Sequence, residues 1–214
     1  MFADALPPAH LIWTFLAAGL ALNVTPGADM MFVAASAGRS KARSGVAAAY
    51  GVFAGCLGHM VLAAFGVAAL VATSQTLFTI LKAAGAAYLF WLALQMLRKP
   101  ISASRKNETT EPPSMAKAFR GGMLVNLLNP KVGLFFISFL PQFIDPNANV
   151  TAQILLLGLL FNITGLIVNI IVAMTTARAG AHFRRLPYVG VAARWIAATL
   201  LGGLAIRLVF TRNA

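Results

Sequence analysis

Acidic residues are scarce in this chain: 5 Asp and Glu stand against 17 Lys and Arg, for a formal net charge of +12. Charge of either sign is scarce too, at 10% of 214 residues, where a soluble domain carries about 25%. That shortage excludes an ordinary water-facing globule. There is one cysteine, Cys56, so an intrachain disulfide, a CxxC redox pair and a thiolate metal cluster are all excluded. Its apolar surroundings suit a buried structural thiol. No G-x-S-x-G, H-E-x-x-H, Walker A or dinucleotide fingerprint occurs, so neither an enzyme nor an ATP-driven pump is expected. No His, Asp or Glu pair falls at i, i+3 or i+4 within a helical stretch, so no metal site or other cofactor is expected. The opening "MFADALPPAH" lacks Lys and Arg, and with them the basic region of a cleavable signal peptide. The first hydrophobic segment is therefore expected to remain in the mature protein.

What the chain has in quantity is apolar sequence, 59% of it. A helix needs about 20 mostly apolar residues to cross a bilayer, and only helices or closed barrels satisfy their backbone there. Six such stretches occur, approximately Leu11 to Ala35, Gly45 to Val71, Leu77 to Leu97, Phe119 to Phe143, Thr151 to Ala177 and Val191 to Phe210. None shows the strict alternation of a membrane barrel. The predicted fold class is an all-α membrane protein with six transmembrane helices.

The basic residues alternate between connections. Arg39, Lys41 and Arg43 follow the first span. Arg98, Lys99, Arg105, Lys106, Lys117 and Arg120 surround the third connection, and Arg178, Arg184, Arg185 and Arg194 the fifth. The second connection has no charge and the fourth only Asp145. By the positive-inside rule the basic loops are cytoplasmic and both termini lie outside. Anionic lipid headgroups are partners enough for this charge. Nucleic acid is not expected, because no basic surface interleaved with aromatics appears.

The polar, proline-bearing stretch "RKPISASRKNETTEPPSMAK" divides the chain into two halves of three spans, approximately 10–98 and 118–211, joined by a cytoplasmic linker over 99–117. Each half opens with an interrupted span: "LNVTPGADMM" in one, "VNLLNPKVGLFF" in the other. Aligned on the prolines, Thr25-Pro26-Gly27 faces Asn129-Pro130-Lys131, with Asn23 and Asn126 shortly before. The third spans end alike, in "LALQ" and "LAIR". An odd number of spans per half makes any repeat inverted, and paired broken helices in inverted halves mark a midplane binding site in a secondary transporter.

Proline removes a backbone donor and pushes away the carbonyl four residues earlier. For Pro26 that carbonyl belongs to Leu22, and for Pro130 to Asn126. Groups freed inside a membrane must meet a ligand, a side chain or water, since exposure to lipid costs several kcal/mol each. The candidate substrate-binding set is accordingly Asn23, Thr25, Pro26, Gly27, Asn126, Asn129 and Pro130, with Gly27 allowing close approach to the backbone. The competing reading is that these prolines and polar groups merely bend helices and hold neighbours together.

Asp29 is the one carboxylate within a predicted span, and burying an ionised carboxylate there costs about 2.5 to 3.5 kcal/mol on insertion scales. It is a candidate proton carrier. Lys131 is its candidate partner, either as structural glue or as a gate. Lys82, close to a span end, is expected to snorkel to the interface. His59 lies beside Gly51, Gly55 and Gly58, a small-residue strip that could pack helices within or between subunits, so a homo-oligomer stays open. His59 reads as a packed hydrogen-bonding residue or as a relay. His10 and His182 fall at span ends. The coupling and gating candidates are Asp29, Lys131 and His59.

The motifs "NVTPGADM", "LKAAGAAYLFWLALQMLR" and "GGMLVNLLNPKVGLFFISFLPQF" resemble those of the LysE/RhtB family of amino-acid exporters, over about Thr14 to Phe210. The resemblance implies a bacterial inner-membrane protein of two inverted three-helix repeats. It also implies export of amino acids or their derivatives, driven by ion gradients with the proton as the expected coupling ion. Two departures, Ala28 where the family has a second proline and Ala93 where it has a glycine, concern helix geometry and leave the polar residues in place. The residues themselves reach a small secondary transporter. An exporter of another small metabolite or of a metal cation, or a non-transporting scaffold or assembly component, is the alternative.

Overall fold

The computed structural model describes residues 7–40, 42–98 and 114–183, together with residue 199. Apart from residue 199, the sixth predicted span lies outside the described residues, as do most of the linker and the side chains of Lys82 and His182. Every regular element among the described residues is helical. By length and composition two helices can cross a membrane, Ala42–Thr73 and Val150–Arg178, or four segments if each of two bent pairs counts as one.

Helix α1 (Ala9–Val24) and helix α2 (Ala28–Ser40) form the first bent pair, meeting at 51°. Helix α5 (Met115–Leu127) and helix α6 (Pro130–Leu134) open the second, which bends by 48°. The cause is the same in both. A residue before proline is driven out of the helical region by the pyrrolidine ring, and Thr25 (ψ 119°) and Asn129 (ψ 106°) are both extended. Beyond α6 the second pair continues irregularly, through a π-helical turn at Phe135–Phe139 and a 3-10 turn at Leu140–Phe143. Pro141 in that stretch removes another helical donor.

Between the bent pairs run helix α3 (Ala42–Thr73) and helix α4 (Gln75–Arg98), and after them helix α7 (Val150–Phe183). Helix α3 packs against α5 and α7, while α2 leans on both long helices and α1 on α7. The glycine strip explains the first of these packings. A Cβ at Gly51 would collide with the carbonyl oxygen of Phe119, and one at Gly55 would lie 2.6 Å from that of Met123. One at Gly58 would meet the Leu127 side chain at 2.8 Å. The strip therefore admits the backbone of α5 from the same chain.

One apolar cluster, centred on Phe15, Phe135, Phe139 and Phe161, joins α1, the irregular segment and α7. A second cluster of small residues, among them Ala37, Ala48 and Ala173, joins α2, α3 and α7. Outward, Leu62 and Phe65 are 71% and 73% exposed. Large side chains of this kind on the outer face are at home in lipid rather than water.

Candidate functional site

The two breaks meet each other, and each freed carbonyl is covered by a side chain from a distant part of the chain. The Lys131 ammonium donates to the carbonyl oxygens of Leu22 at 2.8 Å and of Thr25 at 3.0 Å. Leu22 is the residue that Pro26 deprives of its helical donor. Likewise the Asn126 carbonyl, which Pro130 deprives of its helical donor, accepts from the Asn129 backbone N–H at 2.9 Å and lies 3.0 Å from Nε2 of His59. Because a carbonyl only accepts, that nitrogen is the protonated one. The ring also stacks on Phe136, with centroids 6.5 Å apart.

Asp29 is held from the other side of the crossing. Its Oδ2 accepts from Nδ2 of Asn126 and Nδ2 of Asn129, both at 3.0 Å. Asn129 serves twice, since its Oδ1 also caps α6 by accepting from the Lys131 backbone N–H at 3.0 Å. The first bent pair thus receives Lys131 from the second, and the second presents its asparagines to Asp29 of the first. No ion pair joins Asp29 and Lys131 among the described residues; each charge is met by neutral groups. Each also sits at the helix end that suits it, the cation at the C-terminus of α1 and the anion in the first turn of α2.

Around this crossing lies a small, partly open pocket. Asn23, Thr25, Gly27, Asp29, Lys131 and Asn169 form its polar wall, and Leu22, Met30, Val132 and Phe161 its apolar one. Oδ1 of Asp29 and Oδ1 of Asn169 are buried without a hydrogen-bond partner among the described residues. The wall therefore offers acceptors that lack donors.

The structure brings together five of the sequence-predicted site residues on the pocket wall, Asn23, Thr25, Gly27, Asp29 and Lys131. Asn126, Asn129 and His59 stand behind it, positioning Asp29 and covering backbone. Pro26 and Pro130 create the breaks without lining the pocket. Asn23 ties the end of α1 to α7, donating to the Phe161 carbonyl and to Thr164 Oγ1, each at 3.1 Å. The Thr25 hydroxyl donates to the Ala21 carbonyl at 2.7 Å, an i−4 bond that closes the last turn of α1. Asn169 was absent from the expected set although its signal was there. It interrupts the apolar run "GLIVNIIV" seven residues after Asn162, on the same face of α7, and Asn162 itself binds the Phe53 carbonyl at 3.1 Å. Cys56 is buried, as expected. Among the described residues no three His, Cys, Asp or Glu side chains gather into a metal-holding group.

The sequence matches the model of the LysE type translocator family over residues 20–212. It is 34% identical over 201 residues to an uncharacterized membrane protein of Pseudomonas aeruginosa, covering 92% of this chain and 93% of that one. A similar level, 34% over 136 residues, relates it to a leucine efflux protein of Salmonella choleraesuis, with 64% of each chain covered. No solved structure matches. The paired proline breaks at residues 26 and 130 lie within the matched range, and the chain belongs to the LysE type translocator family.

Proposed function

We propose that this protein is a secondary exporter of amino acids or close derivatives across the bacterial inner membrane, and that the pocket at the crossing is its substrate site. One observation carries the reading: Asp29 Oδ1 and Asn169 Oδ1 are buried acceptors without donors, on the same wall as the Lys131 cation. An α-amino acid supplies both missing complements. Its ammonium provides donors for Asp29 and Asn169. Its carboxylate fits the Lys131 ammonium and the free amides at the start of α2 beside Gly27. The apolar wall of Leu22, Met30, Val132 and Phe161 then receives an aliphatic side chain, in keeping with a leucine efflux protein among the relatives.

The architecture that accompanies this reading is six spans in two inverted repeats, 10–98 and 118–211, with the 99–117 linker cytoplasmic and both termini outside. Its support is the near-equal bend of the two broken pairs, 51° and 48°, and the alternation of basic loops. Asp29 is the proposed proton carrier, being the carboxylate at the crossing with one oxygen uncommitted. The direct test is efflux of labelled leucine from cells overproducing the protein, against cells carrying an Asp29→Ala variant. Equal efflux from both would reject the assignment. A reporter fused at residue 212 that reads as cytoplasmic would reject the topology.

A further inference from the structure

We infer that Lys131 sets the charge selectivity of the pocket, excluding dibasic amino acids. The inference rests on the amino-acid reading of the same site. The Lys131 ammonium is fastened to two backbone carbonyls at 2.8 and 3.0 Å, so it is a fixed feature of the wall and not a side chain free to withdraw. Asp29 balances it in charge without touching it, since its Oδ2 is engaged by Asn126 and Asn129. The wall is therefore neutral as a whole and divided into a cationic and an anionic part.

A zwitterion matches that division. A dibasic amino acid brings a second ammonium, and the wall has nowhere to put it. Among the described residues three buried acceptors lack donors: Asp29 Oδ1 and Asn169 Oδ1 on the wall are taken by the α-ammonium, and Asn126 Oδ1 lies off the wall beside Gly55, while the side-chain subsite is the apolar face of Leu22, Met30, Val132 and Phe161. The further carbonyls at the break, those of Leu22 and Thr25, are the ones Lys131 already occupies. A second cation in the pocket would thus be desolvated without a partner and repelled by Lys131, a combination that weighs heavily where the dielectric is low. Lys131 excludes the dibasic side chain in two ways, by its charge and by filling the site that a cation would use.

The test measures binding of labelled leucine to the purified full-length protein, displaced by norleucine, lysine or Nε-acetyl-lysine, in wild type, Lys131→Met and Lys131→Arg. In the wild type norleucine displaces leucine readily, and lysine requires at least roughly tenfold more. Lys131→Met collapses that ratio to about threefold or less through better lysine binding, because the Leu22 and Thr25 carbonyls become available to the incoming ammonium. Lys131→Arg keeps the ratio. Lysine as effective as norleucine on the wild type, or a Lys131→Met protein with an unchanged ratio, overturns the inference. If Lys131→Met is not recovered folded, the wild type decides with Nε-acetyl-lysine, which is bulkier than lysine but uncharged. Better displacement by the acetylated form supports exclusion by charge, and poorer displacement overturns it. A wild type that binds no leucine overturns the amino-acid reading together with this one, whereas binding leucine and lysine alike overturns this one alone.

Discussion

The ammonium of Lys131 lies 2.8 Å from the carbonyl oxygen of Leu22, 109 residues away in sequence. That carbonyl is the one Pro26 leaves without its helical donor, so a break made locally in one half of the chain is closed by the side chain beside the break in the other. The relationship assigns Lys131 to the backbone rather than to Asp29, and it changes what a double substitution should do.

Replacing Asp29 by Asn leaves an oxygen to accept from Asn126 and Asn129, so the variant should fold nearly as well as the wild type. Lys131→Met takes a donor from two carbonyls, of which that of Leu22 keeps the Thr25 N–H at 3.2 Å, and should cost about 1–3 kcal/mol. Had the two residues formed a buried ion pair, removing both would be milder than removing one. Because they bind different partners and are coupled only through charge, Asp29→Asn with Lys131→Met should instead regain only a small part of what Lys131→Met alone loses. Thermal unfolding of the three variants in detergent checks this, and full recovery in the double variant would contradict the geometry.

Asp29→Asn also isolates coupling. With the carboxylate fixed in a neutral form of the same shape, leucine uptake into inverted vesicles should stop responding to an imposed pH gradient, while downhill exchange of labelled for unlabelled leucine persists. A variant that still concentrates leucine when the gradient is applied would remove Asp29 from the coupling role.

The Asn126 carbonyl has two partners, Nε2 of His59 and the backbone N–H of Asn129. Changing His59 to Leu removes one of the two and should destabilise the protein by about 0.5–1.5 kcal/mol, the net contribution of one hydrogen bond. His59→Gln, whose amide can donate, should recover part of the loss. Melting temperatures of the two variants, compared with wild type, supply the measurement, and equal stability of all three would show that the Asn129 N–H satisfies the carbonyl without His59.

The two asparagines behind Asp29 differ in what they do. Asn126 gives Asp29 one hydrogen bond through its side chain, whereas Asn129 gives one and also caps α6. Both Ala variants should reduce leucine export. Asn129→Ala should lose a further 0.5–2 kcal/mol or so of stability for the missing cap. Export rates normalised to the protein present in the membrane separate the two effects.

Glycine substitutions test the α3–α5 contact. A Cβ at Gly51 meets the Phe119 backbone, which cannot move aside cheaply, whereas one at Gly66 finds nothing within 4 Å. Gly51→Ala should therefore destabilise by about 1–3 kcal/mol or more, with Gly66→Ala within about 0.5 kcal/mol of wild type. Similar unfolding temperatures for both variants would mean that the helices approach less closely than the structure has them.

The breaks were legible because proline acts on its own neighbourhood. Pro26 and Pro130 push Thr25 and Asn129 out of the helical region whatever surrounds them, and the deprived carbonyls at Leu22 and Asn126 follow by counting four residues back. The apolar runs were legible too, since a lipid-facing helix must be apolar along its length. Less could be read from the strip of Gly51, Gly55 and Gly58, because small residues show that something approaches closely without saying what. Asn169 is less legible for a related reason: asparagines spaced along one face of a membrane helix are ordinary until one is found on the same pocket wall as Asp29.

What the sequence determined by itself is therefore local: the apolar segments, the two breaks, the groups each break sets free and the presence of one acid and one base near them. Only the tertiary structure decided the pairing. It matched Lys131 to the Leu22 and Thr25 carbonyls, His59 to the Asn126 carbonyl and the two asparagines to Asp29, and it brought α7 against the crossing so that Asn169 and Phe161 complete the pocket. The physical reason is that covalent geometry acts over four residues of helix, whereas a hydrogen bond acts over 3 Å of space, and which distant groups come within that distance is set by how the helices pack.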